Sequence, residues 1–185
     1  MKFIRLLFFL FFFVNAFQAE GSLRIKEKNI QNENYVITIP ESWTVILDSP
    51  SRMTKDGYKI TEQYYQTPDS VQDNVVFVTV SRLEKGDKIS VHDIFVREKA
   101  NAEKAFDSKV QKQTSIPSCQ LYFTSSYELK NSFTQKKERI KKHYWLYQKQ
   151  NVVYMLTAIY DREIVTSVEN IEQKIHDIQF SFQLK

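Results

Sequence analysis

Two segments of this chain are apolar on both alternations: Val75-Val76-Phe77-Val78-Thr79-Val80 and Val152-Val153-Tyr154-Met155-Leu156-Thr157-Ala158-Ile159. A strand wet on one side alternates polar and apolar residues, so these two belong to a sheet covered on both faces. The short link Lys149-Gln150-Asn151 joins extended segments at 139–148 and 152–160, which marks a hairpin and an antiparallel sheet. Two amphipathic helices are available as covers. Ser90 caps a helix that runs to Phe106, with Asp93 in its first turn and Val91, Ile94, Phe95, Ala102, Ala105 and Phe106 as the buried stripe. A second helix over 163–178 spaces Ile164, Val168, Ile171, Ile175 and Ile178 along one face, leaving Glu172 and Lys174 outward. Helices so far apart in sequence take one face each. The expected fold class is therefore α+β, an antiparallel sheet with helices on both faces forming an α/β/α sandwich.

The ends of the chain are read separately. Lys2 and Arg5 precede the apolar run from Leu6 to Val14, and small residues follow at Asn15 and Ala16. Nine apolar residues are too few to cross a bilayer core, which takes about 20 in a helix. The segment 1–16 reads as a signal peptide cut after Ala16, with Ala19 as the alternative. Residues 17–34 are polar without a sustained period, with a short strand at 23–25, and read as a mobile N-terminal arm; residues 35–185 form a single domain. Further strands are expected at 35–39, closed by Pro40, at 43–47, 59–66 and 75–83, and again at 119–128.

Charge and cysteine content narrow the functional classes. Lys2 and Arg5 leave with the signal segment, so 26 basic residues become 24 against 22 acidic ones, a net charge of +2. That mild balance argues against nucleic acid as a partner. Cys119 is the single cysteine. No internal disulfide can form, no thiol near the signal peptide can carry a lipid, and the Cys119-Gln120-Leu121-Tyr122-Phe123 setting reads as a small buried hydrophobe. After signal cleavage no transmembrane segment is expected, and the location is exported, periplasmic or secreted.

The order of the elements resembles the PsbP family within the broader Mog1/PsbP-like fold. The similar features are Tyr35-Val36-Ile37-Thr38-Ile39-Pro40-Glu41-Ser42-Trp43, the strand 75–80 before the Ser90 helix, the hairpin from Tyr144-Trp145-Leu146-Tyr147 to Val153-Tyr154-Met155-Leu156, and a terminal helix leading into Ile178-Gln179-Phe180-Ser181-Phe182. The entry Ile116-Pro117-Ser118-Cys119 departs from that pattern, where a glycine is expected. The resemblance implies a small exported bacterial protein with an accessory or protein-binding task, not an enzyme.

The search for chemistry points the same way. His92-Asp93 and His176-Asp177 are adjacent pairs whose side chains diverge by about 100° on a helix, so neither is a base with its orienting acid, and both histidines read as exposed. His143, among lysines, reads as a poor cation ligand. Zinc-type cysteine spacing, an acidic calcium loop and a phosphate loop are all missing, and the three glycines cannot build a glycine-rich cradle. Catalytic residues, metal and cofactor are each expected to be none. The concentrated surface feature is Lys136-Lys137-Glu138-Arg139-Ile140-Lys141-Lys142, running into Tyr144, Trp145 and Tyr147. In a strand Lys137, Arg139 and Lys141 share one parity and form a basic ladder. With the three aromatics they are the expected docking surface for a protein partner, or alternatively for an anionic envelope surface contacted by a structural or stress-related factor. Two competing readings are an edge strand guarded by lysines and an enzyme whose site is scattered along the chain.

Overall fold

The computed structural model describes residues 26–66, 76–86, 88–106, 109–113, 119–130, 137–161 and 171–185. In chain order its elements are β1 (Glu27–Gln31), β2 (Tyr35–Pro40), β3 (Thr44–Met53), β4 (Lys59–Gln66), β5 (Phe77–Glu84), α1 (Val91–Phe106), β6 (Lys109–Gln113), β7 (Leu121–Lys130), β8 (Lys137–Lys149), β9 (Val152–Asp161), α2 (Ile171–Ser181) and β10 (Gln183–Leu184). Seven strands pair in the order β3-β4-β5-β9-β8-β7-β6, and every pairing is antiparallel. The signal segment 1–16, residues 17–25 and the start of the expected terminal helix at 163–170 lie outside the described residues.

The hairpin expected at 149–151 is the centre of this sheet. Lys149 faces Val152, and Gln150 takes a left-handed φ of 54° to turn the chain within two residues. Because β8 and β9 are flanked on both sides, their side chains sort by parity into two cores. Trp145 and Tyr147 of β8, with Tyr154, Leu156, Ala158 and Tyr160 of β9, join Ile171, Ile175 and Ile178 of α2. Tyr144 and Leu146, with Val153 and Met155, join Ile94 of α1 and are packed by Val91 and Phe95. The double-sided apolar pattern therefore has the cause inferred from it: each face of these strands has its own core. Mostly antiparallel sheet with two described helices is an α+β fold.

The start of α1 follows its sequence signals closely. Ser90 Oγ accepts the Asp93 backbone N–H at 3.2 Å, and Asp93 Oδ2 accepts from the Ser90 N–H at 3.0 Å and from its hydroxyl at 2.7 Å. This reciprocal cap satisfies two otherwise orphaned donors, and it holds the Asp93 carboxyl below its ordinary pKa. Arg97, on the next turn, donates from Nε to Asp56 at 2.9 Å and ties the helix to the β3–β4 turn.

Three expectations are corrected. The polar segment 17–34 is not an arm throughout: Glu27–Gln31 forms β1, paired residue by residue with β2. Backbone pairing does not depend on apolar side chains, and Lys28 Nζ further fixes the strand by donating to the Trp43 carbonyl at 2.5 Å. Next, the strands do not form one sheet. β1, β2 and β10 make a separate three-stranded sheet, and Tyr35, Ile37 and Ile39 enter the same core as α2. Finally, β3 continues through Asp48-Ser49-Pro50 to Met53, with irregular register between Ser49 and Arg52 where the proline falls. The strands β6 and β10, short and polar, carried no usable period.

Candidate functional site

The basic ladder occupies the first half of β8. Its parity is as expected, and from Ile140 onward β8 lies between β7 and β9, so the reading of an edge guarded by lysines does not hold for Lys141. Residues 137–139 run beyond the last paired residue of β9, Asp161, which faces Ile140, and among the described residues they pair with β7 alone. Arg139 faces Glu128 across that pair. Glu128 takes both outer cations: Lys137 Nζ lies 3.7 Å and Arg139 Nε 3.4 Å from its carboxylate. Their side chains remain 77% and 60% exposed, respectively. Lys141 is different, with a side chain only 20% exposed and Nζ donating to Glu172 Oε1 of α2 at 3.2 Å. The ladder thus divides into an exposed pair that shares one carboxylate and an inner lysine that serves a helix contact.

The aromatic part of the expected docking surface is corrected outright. Tyr144, Trp145 and Tyr147 are 5%, 0% and 7% exposed. Tyr144 stacks on Phe123 at 4.2 Å between ring centroids, Trp145 on Tyr122 at 5.4 Å, and Tyr147 meets Phe182 at 4.7 Å. An interior strand covered on both faces has no outward parity, so its rings belong to the two cores and present nothing to a partner.

What the ladder leads into is a buried polar relay. Tyr122 Oη lies 2.7 Å from His143 Nδ1, and His143 Nε2 lies 3.0 Å from Tyr160 Oη. The Tyr160 hydroxyl donates to Glu172 Oε1 at 2.8 Å. That donation leaves the Tyr160 oxygen to accept from His143 Nε2–H, so Nδ1 accepts from the Tyr122 hydroxyl in the neutral ring. Trp145 stacks on His143 at 5.3 Å between centroids, and His176 of α2 stands edge-on to both rings at 6.3 Å. His176 is therefore half-buried, not exposed as its position suggested. The Glu172 carboxyl is held below its ordinary pKa, first by the Tyr160 hydroxyl; burial pushes the other way, and the Lys141 ammonium adds a further lowering. Tyr122 is pushed up to about 12 by burial.

Tyr122, Tyr160 and Glu172 belong to three different elements, and no linear spacing ties them to His143. The available hint was a tyrosine at the end of an otherwise apolar strand. Cys119 sits against the core that contains α2, and burial pushes its thiol up to about 11, so it stays protonated near neutral pH and is a weak nucleophile. Among the described residues no group of three or more His, Cys, Asp or Glu side chains is placed to hold a metal ion. No described helix is long and apolar enough to cross a membrane. Two clefts open elsewhere. One, of about 290 Å³, lies between β2 and α2 beside the exposed Phe180; the other, of about 260 Å³, lies under the β1–β2 turn.

No protein-family model and no curated protein matches the sequence. Solved structures do. LpqN of Mycobacterium tuberculosis, described as involved in cell envelope biogenesis, superposes with a TM-score of 0.53 at 10% identity, over 88% of this chain and 92% of its own. The cyanobacterial PsbP protein CyanoP of Synechocystis sp. PCC 6803 does so with a TM-score of 0.51 at 10% identity, over 90% of this chain and 97% of its own. At that identity the likeness speaks of architecture alone. This chain has a PsbP-like fold.

Proposed function

We propose that this chain is an exported, non-enzymatic accessory protein of the cell envelope that docks on a protein partner through the outer end of β8. The observation that carries the docking is the exposed pair Lys137 and Arg139, projecting past the end of β9 on a strand that is otherwise interior. Its chemistry favours a protein over an anionic lipid or polymer surface. Glu128 lies between the two cations, so the patch carries alternating charge with a net of only one positive unit, which matches a complementary charge pattern and attracts a uniform anionic surface weakly. The envelope setting is supported by the fold shared with LpqN and by the signal-like segment Lys2 to Ala16. The two cores on opposite parities of β8 and β9 support the full α/β/α sandwich. The His143 relay, with its histidine only 4% exposed, is closed to a substrate, which supports the accessory reading.

The test is affinity capture from the native envelope, comparing the wild type with the Lys137→Glu, Arg139→Glu variant at low and high salt. Capture should fall with salt, since exposed charges are screened beyond about 8 Å at physiological ionic strength, and it should be lost in the variant while the fold persists. Undiminished capture by the variant would sink the docking assignment. N-terminal sequencing of the exported protein checks the compartment, with Phe17 expected as the first residue.

A further inference from the structure

The cleft between β2 and α2 combines an exposed ring with unpaired charges. Four large apolar side chains are exposed among the described residues, Val45, Met53, Val96 and Phe180. A scattered apolar residue on a surface is ordinary. Phe180, 60% exposed, is the aromatic one of the four and the one that lines a cleft, together with Pro40 and Ile178. Three charged residues line the same cleft: Glu27, Lys174 and Asp177. Asp177 Oδ1 accepts from Gln173 Nε2 at 2.8 Å, while Glu27 and Lys174 have no hydrogen bond or ion pair among the described residues. Two carboxylates against one ammonium leave the cleft with a balance of −1.

The chain enters β1 at the wall of this cleft. The Glu41 N–H donates to the Lys26 carbonyl at 2.7 Å, so Lys26 already lies beside the end of β2, and the next residue, Glu27, lines the cleft. The preceding residues Phe17-Gln18-Ala19-Glu20-Gly21-Ser22-Leu23-Arg24-Ile25 therefore start from the cleft itself. Extended, such a segment reaches up to about 30 Å, whereas the helix from Lys174 to Phe180 is about 9 Å long, so it can span the cleft and still turn into it. Its side chains complement the lining. Leu23 and Ile25, on one parity, are apolar partners for Phe180. Arg24 and the amino group freed at Phe17 stand against the two carboxylates, and Glu20 stands against Lys174, a balance of +1 to meet −1. Among the segments outside the described residues it alone adjoins a residue of this cleft, and once cut it is free at one end.

We propose that, after the signal segment is removed, Phe17–Ile25 folds back into the cleft between β2 and α2, laying Leu23 and Ile25 on Phe180 with Arg24 toward Glu27 and Asp177. The inference takes its free amino group from the export reading and makes no use of Lys137 or Arg139. Docking removes Phe180 from water, and the cut that ends export becomes the step that completes this face of the fold.

The experiment is NMR on isotope-labelled protein produced to begin at Phe17, so that the result does not depend on where the export cut falls. Methyl groups of Leu23 and Ile25 should show nuclear Overhauser contacts to the Phe180 ring that persist unchanged on dilution. Phe180→Ser, at an exposed position, should abolish these contacts and return both methyl signals to their free-chain positions, because burying one aliphatic side chain is worth about tenfold or more in an equilibrium constant. Asp177→Lys should move the same signals part of the way, and more at low salt than at high salt. Absence of the contacts, or methyl signals unmoved by Phe180→Ser, would overturn the proposal. So would contacts seen only between differently labelled molecules in a mixed sample, which would assign the cleft to a second copy of the chain. An export cut found elsewhere by N-terminal sequencing would revise the compartment reading and leave these results as they stand.

Discussion

His143 sits in a chain of hydrogen bonds whose direction is set at its outer end. Glu172 is a carboxylate, so Tyr160 donates to it and accepts from His143 Nε2–H, and in the neutral ring Nδ1 then accepts from Tyr122. In the neutral ring, imidazole nitrogen shifts should accordingly report the Nε2–H tautomer. Tyr160→Phe removes the link on which this order depends and leaves a buried imidazole N–H without that acceptor. It should lower the unfolding free energy by about 1–3 kcal/mol in urea titrations. The variant should also change the acid limb of stability. Glu172 has a lower pKa folded than unfolded, so its contribution is present above the unfolded value and is lost as pH falls through and below the ordinary glutamate pKa of about 4.3. Tyr160 is the first cause of that depression, and the wild-type loss of stability in this window should flatten when its hydroxyl is gone. An equally steep acid limb in the variant would contradict the assigned role.

Among the elements, α2 shows how far periodicity reaches. The spacing of Ile171, Ile175 and Ile178 placed these three residues inward, and all are buried, while Glu172 is exposed; Lys174, expected outward, is half-buried beside the cleft between β2 and α2. Truncating Ile171 or Ile175 to Ala removes a fully enclosed side chain and should cost about 2–5 kcal/mol, measured as a lowered denaturation midpoint. Unaltered midpoints for both variants would refute the packing of α2 on the sheet. β8 gives the opposite lesson. Its alternation correctly put Lys137, Arg139 and Lys141 on one face, yet alternation is silent on how many neighbours a strand has. With β7 on one side and β9 on the other, the strand changes character along its length, from an exposed charged end to a fully enclosed aromatic end.

On the scale of the whole molecule, the N-terminal segment is tied in as a structural part. β1 pairs with β2 along five residues, the C-terminal β10 pairs with β2 from the other side, and Lys185 N–H donates to the Asn34 carbonyl at 3.0 Å. A chain truncated to begin at Tyr35 should therefore lose stability and unfold at a lower urea concentration than one beginning at Phe17; equal midpoints would restore the reading of 17–34 as a dispensable arm. The antiparallel sheet, the hairpin at 149–151, the Ser90 cap and the need to cover two faces were legible from residue order, because each is set by local propensity or by a short period within one element. The second sheet was not, since β1 and β10 are polar and too short to show a period, and they become strands only because β2 offers them a partner. The fate of Tyr144, Trp145 and Tyr147 was likewise a tertiary decision: the same rings on an edge strand would face a partner, and between β7 and β9 they are core. The relay from Glu172 to Tyr122 and the cleft between β2 and α2 each draw on elements far apart in the chain, so they exist as sites only once the strands have found their register.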